Sequence, residues 1–131
     1  MVKINEFEET QVVVDNLSGY PLSGIVKLNS EKIVITGPIL KKNRRQHREV
    51  DQFYKNLSNV LRNPNFICRN RRDPEVLICY KKVKGARLRA AVWLAPRKKK
   101  GFHNSILSFR KYHQKELEME KERGRVTYEK Q

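Results

Sequence analysis

Acidic side chains are scarce in this chain. Its 131 residues include 14 Asp and Glu against 29 Lys and Arg, so the formal net charge is +15. Between Glu49 and Glu116 the only acids are Asp51, Asp73 and Glu75, which argues against the clustered carboxylates that hold Mg²⁺ in metal-dependent nucleases. An excess of positive charge this large predicts an anionic partner, and nucleic acid is the leading candidate.

Cysteine is also scarce, with Cys68 and Cys79 as the only two. Both lie in apolar, strand-like contexts, so they are predicted to be small buried hydrophobic residues rather than a disulfide. The CxxC and HxxxH spacings of zinc sites do not occur, so no metal site is expected. The P-loop, GxGxxG, GxSxG and HExxH motifs do not occur either, and no cofactor is expected.

Long apolar runs are missing, and the chain starts with the charged stretch MVKINEFEE. These two features predict a cytoplasmic protein with neither a membrane span nor a secretory leader. A chain of 131 residues is long enough for one domain with a buried core. We therefore predict a single domain over 1–131, in which 1–31 form an N-terminal β extension and 114–131 a charged helical tail.

The strongest periodic segment is QHREVDQFYKNLSNVLR, residues 46–62. Its apolar residues recur at i, i+3, i+4 and i+7, which predicts one long amphipathic helix. Asn43 is a candidate N-cap, and Pro64 ends the helix because proline cannot continue it. The residues of the predicted apolar stripe are Val50, Phe53, Tyr54, Leu57, Val60 and Leu61.

Valine-rich and alternating segments predict strands on both sides of that helix. The fold class is therefore α+β, with the long helix packed on an antiparallel sheet of about four strands and preceded by an N-terminal β-hairpin region. A turn around Gly85 joins two of these strands into a hairpin. The predicted strands are 11–17, 25–29, 32–37, 66–69, 76–83, 87–95 and 102–112, and 114–124 are predicted to be helical.

His47 lies in the basic run KKNRRQHREV, residues 41–50. In the predicted helix it falls on the first turn, where backbone N–H groups attract phosphate. RNA can be cleaved without a metal if one group takes the proton of the 2′-OH, another protonates the leaving oxygen and cations stabilise the phosphate. Imidazole suits this acid–base work, so His47 is a candidate catalytic residue. The alternative is a ring that packs at the rim of the core.

Ser108 and Arg110 are two residues apart in the predicted strand 102–112, so they share one face. A hydroxyl beside a guanidinium is suited to hold and stabilise a phosphate, which makes both candidates for the catalytic site. The alternative is a strand end that emerges into solvent. The cations expected to bind nucleic-acid phosphates are Arg44, Arg45, Lys82, Arg89, Lys98 and Lys99.

The stretch KIVITGPILKKNRRQHREVDQFYKNLSNVLRNPNFI, followed later by NSILSFRKY, resembles the phage-associated nuclease domains of the barnase–EndoU–colicin–RelE superfamily. The resemblance covers residues 32–124, and the matching residues are His47, Asn63 with Pro64, and Ser108. It implies metal-independent cleavage of RNA, often tRNA, by toxins and effectors of phages and other mobile elements.

Two alternatives to an endoribonuclease stay open. A non-catalytic nucleic-acid-binding protein needs only the pattern of positive charge. A protein that grips an acidic partner, such as an inhibitor protein, would use the same basic patches.

Overall fold

The computed structural model describes residues 11–16, 32–94 and 104–130. Three α-helices, one 3₁₀ helix and seven strands form within these ranges. In chain order they are β1 (Gln11–Asn16), β2 (Lys32–Thr36), α1 (Gly37–Gln46), the 3₁₀ helix (Arg48–Asn56), α2 (Leu57–Arg62), β3 (Phe66–Arg69), β4 (Val76–Val83), β5 (Ala86–Trp93), β6 (Asn104–Lys111), α3 (Gln114–Glu122) and β7 (Val126–Glu129).

The described strands form a single sheet of seven strands in the order β1-β2-β6-β5-β4-β3-β7. Neighbours are antiparallel except β2 and β6, which are parallel. The fold is α+β, but the predicted antiparallel sheet of about four strands is wrong, because β1 and β2 extend it at one side and β7 at the other. The predicted strand 25–29 lies outside the described residues.

The single long helix predicted over 46–62 is also wrong. Helical structure begins at Gly37 and is divided into α1, the 3₁₀ helix and α2. The side chain of Thr36 accepts a hydrogen bond from the backbone N–H of Ile39, at 3.4 Å, and Pro38 occupies the first turn. Proline fits there because the first-turn N–H groups have no partner within the helix.

The predicted apolar stripe is nevertheless buried, with Val50 and Leu57 at 0% and 1% exposure. A spacing of three residues places side chains on one side of an α-helix and of a 3₁₀ helix alike, as for Val50 and Phe53, while Tyr54 is half-buried. The apolar pattern therefore located the buried side of this segment without distinguishing its helix type.

Helices cover both faces of the sheet. On one face α1, the 3₁₀ helix and α2 pack against alternate strand residues, such as Leu77 and Phe109. On the other face Leu117 of α3 packs against Tyr80 and Tyr112. Successive side chains of a strand point to opposite faces, so this second face also carries the polar residues of β5 and β6 that were predicted to bind RNA.

The predicted helical tail is helical only as far as Glu122. Gly124 has a φ of +67°, a left-handed conformation that glycine adopts without steric cost, and the chain reverses there into β7. Val126 then pairs with Cys68 of β3. The tail thereby completes the sheet and holds α3 against its second face.

Asn43 lies inside α1, and its predicted role as an N-cap is wrong. Its side chain is 3% exposed and joins α1 to β6. The Nδ2 atom donates to the carbonyl oxygen of Phe109 and to the hydroxyl of Tyr54, both at 2.8 Å, and Oδ1 accepts from the N–H of Phe109 at 2.9 Å. Because β2 pairs with β6 only at Asn104 and Ser105, the Asn43 amide takes the place of a neighbouring strand at Phe109.

Replacing Asn43 by alanine should destabilise the fold by about 2–5 kcal/mol. The substitution leaves the buried N–H and C=O of Phe109 without partners, and each such group costs roughly 1–3 kcal/mol. Urea unfolding monitored by circular dichroism measures the change. Asn59→Ala is the matched control, because Asn59 is exposed on α2. Equal midpoints for the two variants would show that the Asn43 bonds contribute nothing.

Candidate functional site

Ser108 and Arg110 lie on the sheet face that α3 covers. The ladder pairs Ser108 with Ala91 and Arg110 with Arg89, while Phe109 between them is fully buried in the opposite core. The prediction that Ser108 and Arg110 share a face is therefore confirmed. Their common face also carries Arg89.

Arg110 is held within the protein by a carboxylate. Its Nη1 donates to Oε1 of Glu116 at 3.1 Å and its Nη2 donates to Oε2 at 2.8 Å. This forked pair raises the pKa of Arg110 and lowers the pKa of Glu116. Oε1 also accepts from the backbone N–H of His113 at 3.2 Å, at the start of α3. Arg110 therefore ties α3 to β6, and its charge is already paired with Glu116.

Glu116→Gln should lower the stability of the protein on the order of 1 kcal/mol near pH 7, since the pair is partly exposed. Arg110 keeps the folded-state pKa of Glu116 below its ordinary value. The contribution is thus fully present above pH about 4.5 and is lost as the pH falls through the folded-state pKa. Melting curves of the two proteins should converge in acid. Glu118→Gln, at an exposed position of the same helix, is the control. It should leave the melting midpoint unchanged both near pH 7 and in acid.

Arg89 lies half-buried against Tyr80, with its guanidinium carbon 5.9 Å from the ring centroid. Burial raises the pKa of Tyr80 to about 12, so this hydroxyl stays protonated. Nearby, Arg125 forms an ion pair with Glu120 of α3 at 3.1 Å. Two of the acids of α3, Glu116 and Glu120, are thus paired with arginines. Arg89 packs on a ring rather than pointing into solvent.

His47 lies at the end of α1, where its backbone N–H donates to the carbonyl oxygen of Asn43 at 2.8 Å. The predicted α-helix start near residue 46 is wrong, because the α-helix starts at Gly37. His47 ends that helix and is also the N-cap of the 3₁₀ helix that follows. The imidazole Nδ1 lies 3.5 Å from Oε1 of Glu49, and the side chain is 27% exposed. A carboxylate beside Nδ1 orients the ring and leaves Nε2 as the second acid–base atom.

The structure does not join the three predicted catalytic residues. His47 lies at the end of α1, whereas Ser108 and Arg110 lie on the sheet face that α3 covers. Among the described residues, no hydrogen bond or ion pair connects His47 to Ser108 or to Arg110. A three-residue catalytic cluster would need the side chains to move.

Two of the predicted phosphate-binding residues, Arg44 and Arg45, do meet. With Arg48 and Asp51 they line a cavity of about 340 Å³, called here the arginine cavity. The guanidinium of Arg44 lies 5.4 Å from the ring centroid of Tyr54, which holds it at the end of α1. The cavity lies beside His47 in the sequence, at the bend between α1 and the 3₁₀ helix.

Lys82 is exposed and belongs to a second group of cations that sequence reasoning did not assemble. It lies in an open cleft of about 680 Å³ between α3 and the ends of β3, β4 and β7, called here the basic cleft. The high lysine content indicated a basic surface, but only the docking of α3 brings these residues together. Lys98 and Lys99 lie outside the described residues. The lining of the basic cleft includes Phe66, Lys82, Arg87, Tyr112, Lys121 and Lys130.

In the part of the chain that the structure describes, the helices are too short and too polar for any of them to cross a membrane. Comparison with known proteins found no matching family model, no matching curated protein and no matching solved structure. The resemblance to the barnase–EndoU–colicin–RelE superfamily stays a prediction.

Proposed function

We propose that this protein binds RNA in the cytoplasm by contacting the phosphate backbone. The observation that carries the proposal is the arginine cavity, where Arg44, Arg45 and Arg48 gather around one space with Asp51 as the single acid among the described lining residues. Guanidinium groups bind phosphate oxygens through two parallel hydrogen bonds. A net charge of +15 adds a long-range attraction for a polyanion.

A contrast within the molecule supports this choice of surface. Arg110 and Arg125 have carboxylate partners in α3, so their charges are already neutralised. The described lining of the arginine cavity has three arginines and one acid, a local excess of positive charge that favours the approach of a phosphate. The cavity is therefore the first place on the described surface to test for RNA contacts.

The double variant Arg44→Gln, Arg45→Gln should weaken RNA binding and flatten its salt dependence. Each lost phosphate contact reduces the slope of log K against log salt by about 0.7 for a single strand, so the double variant should lose roughly 1.4. Fluorescence anisotropy of a labelled RNA measures the slope. The control is Arg71→Gln, Arg72→Gln, which removes the same charge from an exposed turn before β4. Identical slopes for the two double variants would show that charge alone, and not the cavity, governs binding.

RNA cleavage is a second candidate function, favoured by one specific observation. The imidazole of His47 has its Nδ1 atom beside Glu49, the arrangement by which a carboxylate orients a general base. In this candidate Arg110 would reach the phosphate, next to Ser108, once Glu116 releases it. Incubating RNA with the protein in the presence of EDTA tests the idea. Cleavage that persists supports the enzyme, whereas bound but intact RNA supports binding alone.

A further inference from the structure

The cations of the basic cleft have neutral neighbours. Among the described residues, no Asp or Glu lines the cleft beside Lys82, Arg87, Lys121 and Lys130. The Nζ atom of Lys130 donates to the amide oxygen of Asn63 at 2.7 Å, and the Nζ atom of Lys121 lies 4.3 Å from the ring centroid of Phe66. These contacts position the cations without cancelling their charge, so the cleft presents a positive potential to a ligand.

The positive charge of the cleft affects the pKa of Lys81, which is next to Lys82 in the sequence. Burial lowers the pKa of Lys81, and the charge of Lys130 lowers it further. Two lysines of the same region thus repel one another. A bound anion would reduce that repulsion, so the charge on these lysines favours anion binding in the cleft.

The floor of the cleft is apolar and aromatic. Tyr112 is nearly buried, and its ring meets the ring of Tyr80 edge-on, with 4.9 Å between centroids. Phe66 is half-buried beside Leu117. The volume of about 680 Å³ lies within the roughly 300–1,000 Å³ of pockets that hold small ligands. A ligand that fits has a flat apolar part and a phosphate, as a nucleotide does.

The same floor discriminates between strand forms. In a duplex the bases are stacked inside and show only their edges, so a base can lie on the half-buried Phe66 only when it is unpaired. Polar groups for a base edge are also present, since the amide side chains of Asn65 and Gln114 line the cleft. The Oδ1 atom of Asn65 accepts from the backbone N–H of Lys82 at 2.8 Å, which fixes the orientation of that amide.

We propose that the basic cleft binds one unpaired nucleotide of a single-stranded RNA, with its phosphate among Lys82, Arg87 and the neighbouring lysines and its base on the apolar floor. This inference rests on the proposed RNA binding and adds the strand form that is recognised. The basic cleft, on the second face of the sheet, would thus contact a base, which the arginine cavity alone would not do.

The test compares a uridine-rich single strand with an RNA duplex of equal length. Wild-type protein should prefer the single strand. Lys82→Gln with Arg87→Gln should reduce single-strand affinity by about tenfold or more, because two phosphate contacts are lost, and should reduce the preference over duplex. The control Arg71→Gln, Arg72→Gln lies at the opposite end of β4 and should lower both affinities alike.

Phe66→Leu should weaken single-strand binding about fivefold or more, the worth of one stacked base, and leave duplex binding unchanged.

A competition experiment on wild-type protein keeps the inference testable if a cleft variant does not fold. Uridine monophosphate should displace the labelled strand at lower concentration than inorganic phosphate does. Equal competition would reveal an anion site without base recognition and would overturn the inference. Folded cleft and control variants with the same single-strand affinity would also overturn it, while RNA binding itself would stand. Absence of any salt-sensitive RNA binding by wild-type protein would instead overturn the proposed function.

Discussion

Binding of the wild-type protein to RNA should weaken by a factor on the order of 10³–10⁵ when the salt concentration rises from about 50 to about 200 mM. RNA holds a condensed layer of counterions, and each phosphate neutralised by a lysine or arginine releases part of that layer into solution. Raising the salt concentration makes this release less favourable. The size of the effect therefore counts the phosphates that the protein contacts.

The structure offers enough cations for an effect of this size. Three arginines line the arginine cavity, and four lysine and arginine side chains line the basic cleft. A contact number of roughly six to ten gives the stated range. Affinity should be measured by anisotropy over the salt series, with the melting midpoint recorded at each concentration, because unfolding would mimic a loss of affinity. RNA binding that is nearly independent of the salt concentration would contradict this prediction.

If the protein cleaves RNA, as the second candidate function proposes, His47→Ala should reduce the rate of cleavage by a factor of roughly 10²–10⁴, the usual contribution of one general acid or base. The imidazole is partly exposed and its Nδ1 atom lies beside Glu49, so Nε2 is available for proton transfer. RNA affinity should barely change, because Arg44, Arg45 and Arg48, the proposed phosphate contacts, remain. Single-turnover kinetics with excess protein measures the chemical step apart from binding.

His113→Ala is the matched control for this experiment. His113 is exposed at the start of α3, away from the bend between α1 and the 3₁₀ helix, so its variant should cleave at the wild-type rate. If His47 only packs at the rim of the core, His47→Ala should lower the melting midpoint and leave the single-turnover rate unchanged below it. A folded His47→Ala protein that cleaves at full rate would remove His47 from the mechanism.

Strand β3 and the hairpin of β4 and β5, called here the central hairpin, could be predicted because each is indicated by residues close together in the sequence. The segments 66–69 and 76–83 are apolar runs bounded by turn residues, and β3 and β4 have these bounds. Gly85 has a φ of +88°, as a tight turn between two strands requires. Strand β5 differs from the predicted 87–95 by a residue or two at each end, the usual uncertainty of an element boundary.

The start of the helical region is not predicted although the sequence contains a signal for it. Gly37 and Pro38 are typical of the end of a hairpin, but after Thr36 they also fit a helix cap with a first-turn proline. Both interpretations end a strand near Thr36, and they differ in whether a loop or a helix comes next. Because of this error the sequence predicted one helix start near His47, whereas the structure has His47 at the junction of two helices, as the C-cap of α1 and the N-cap of the 3₁₀ helix.

Composition and short-range periodicity, which the sequence alone contains, determined the positive charge, the buried side of the helical segment, the central hairpin and the shared face of Ser108 and Arg110. These properties depend on neighbours along the chain. Tertiary structure alone decided which cations are neutralised: Glu116 takes up Arg110 because α3 folds back over β6, while no acid of the described ranges lines the basic cleft. It also decided that Asn43 closes the edge of β6. The contact of Asn43 with Phe109 and the lining of the basic cleft join segments remote in sequence, and no local pattern encodes the distances between them. The Arg110–Glu116 pair spans only six residues, but it forms because the chain turns between β6 and α3, which strand or helix periodicity does not encode.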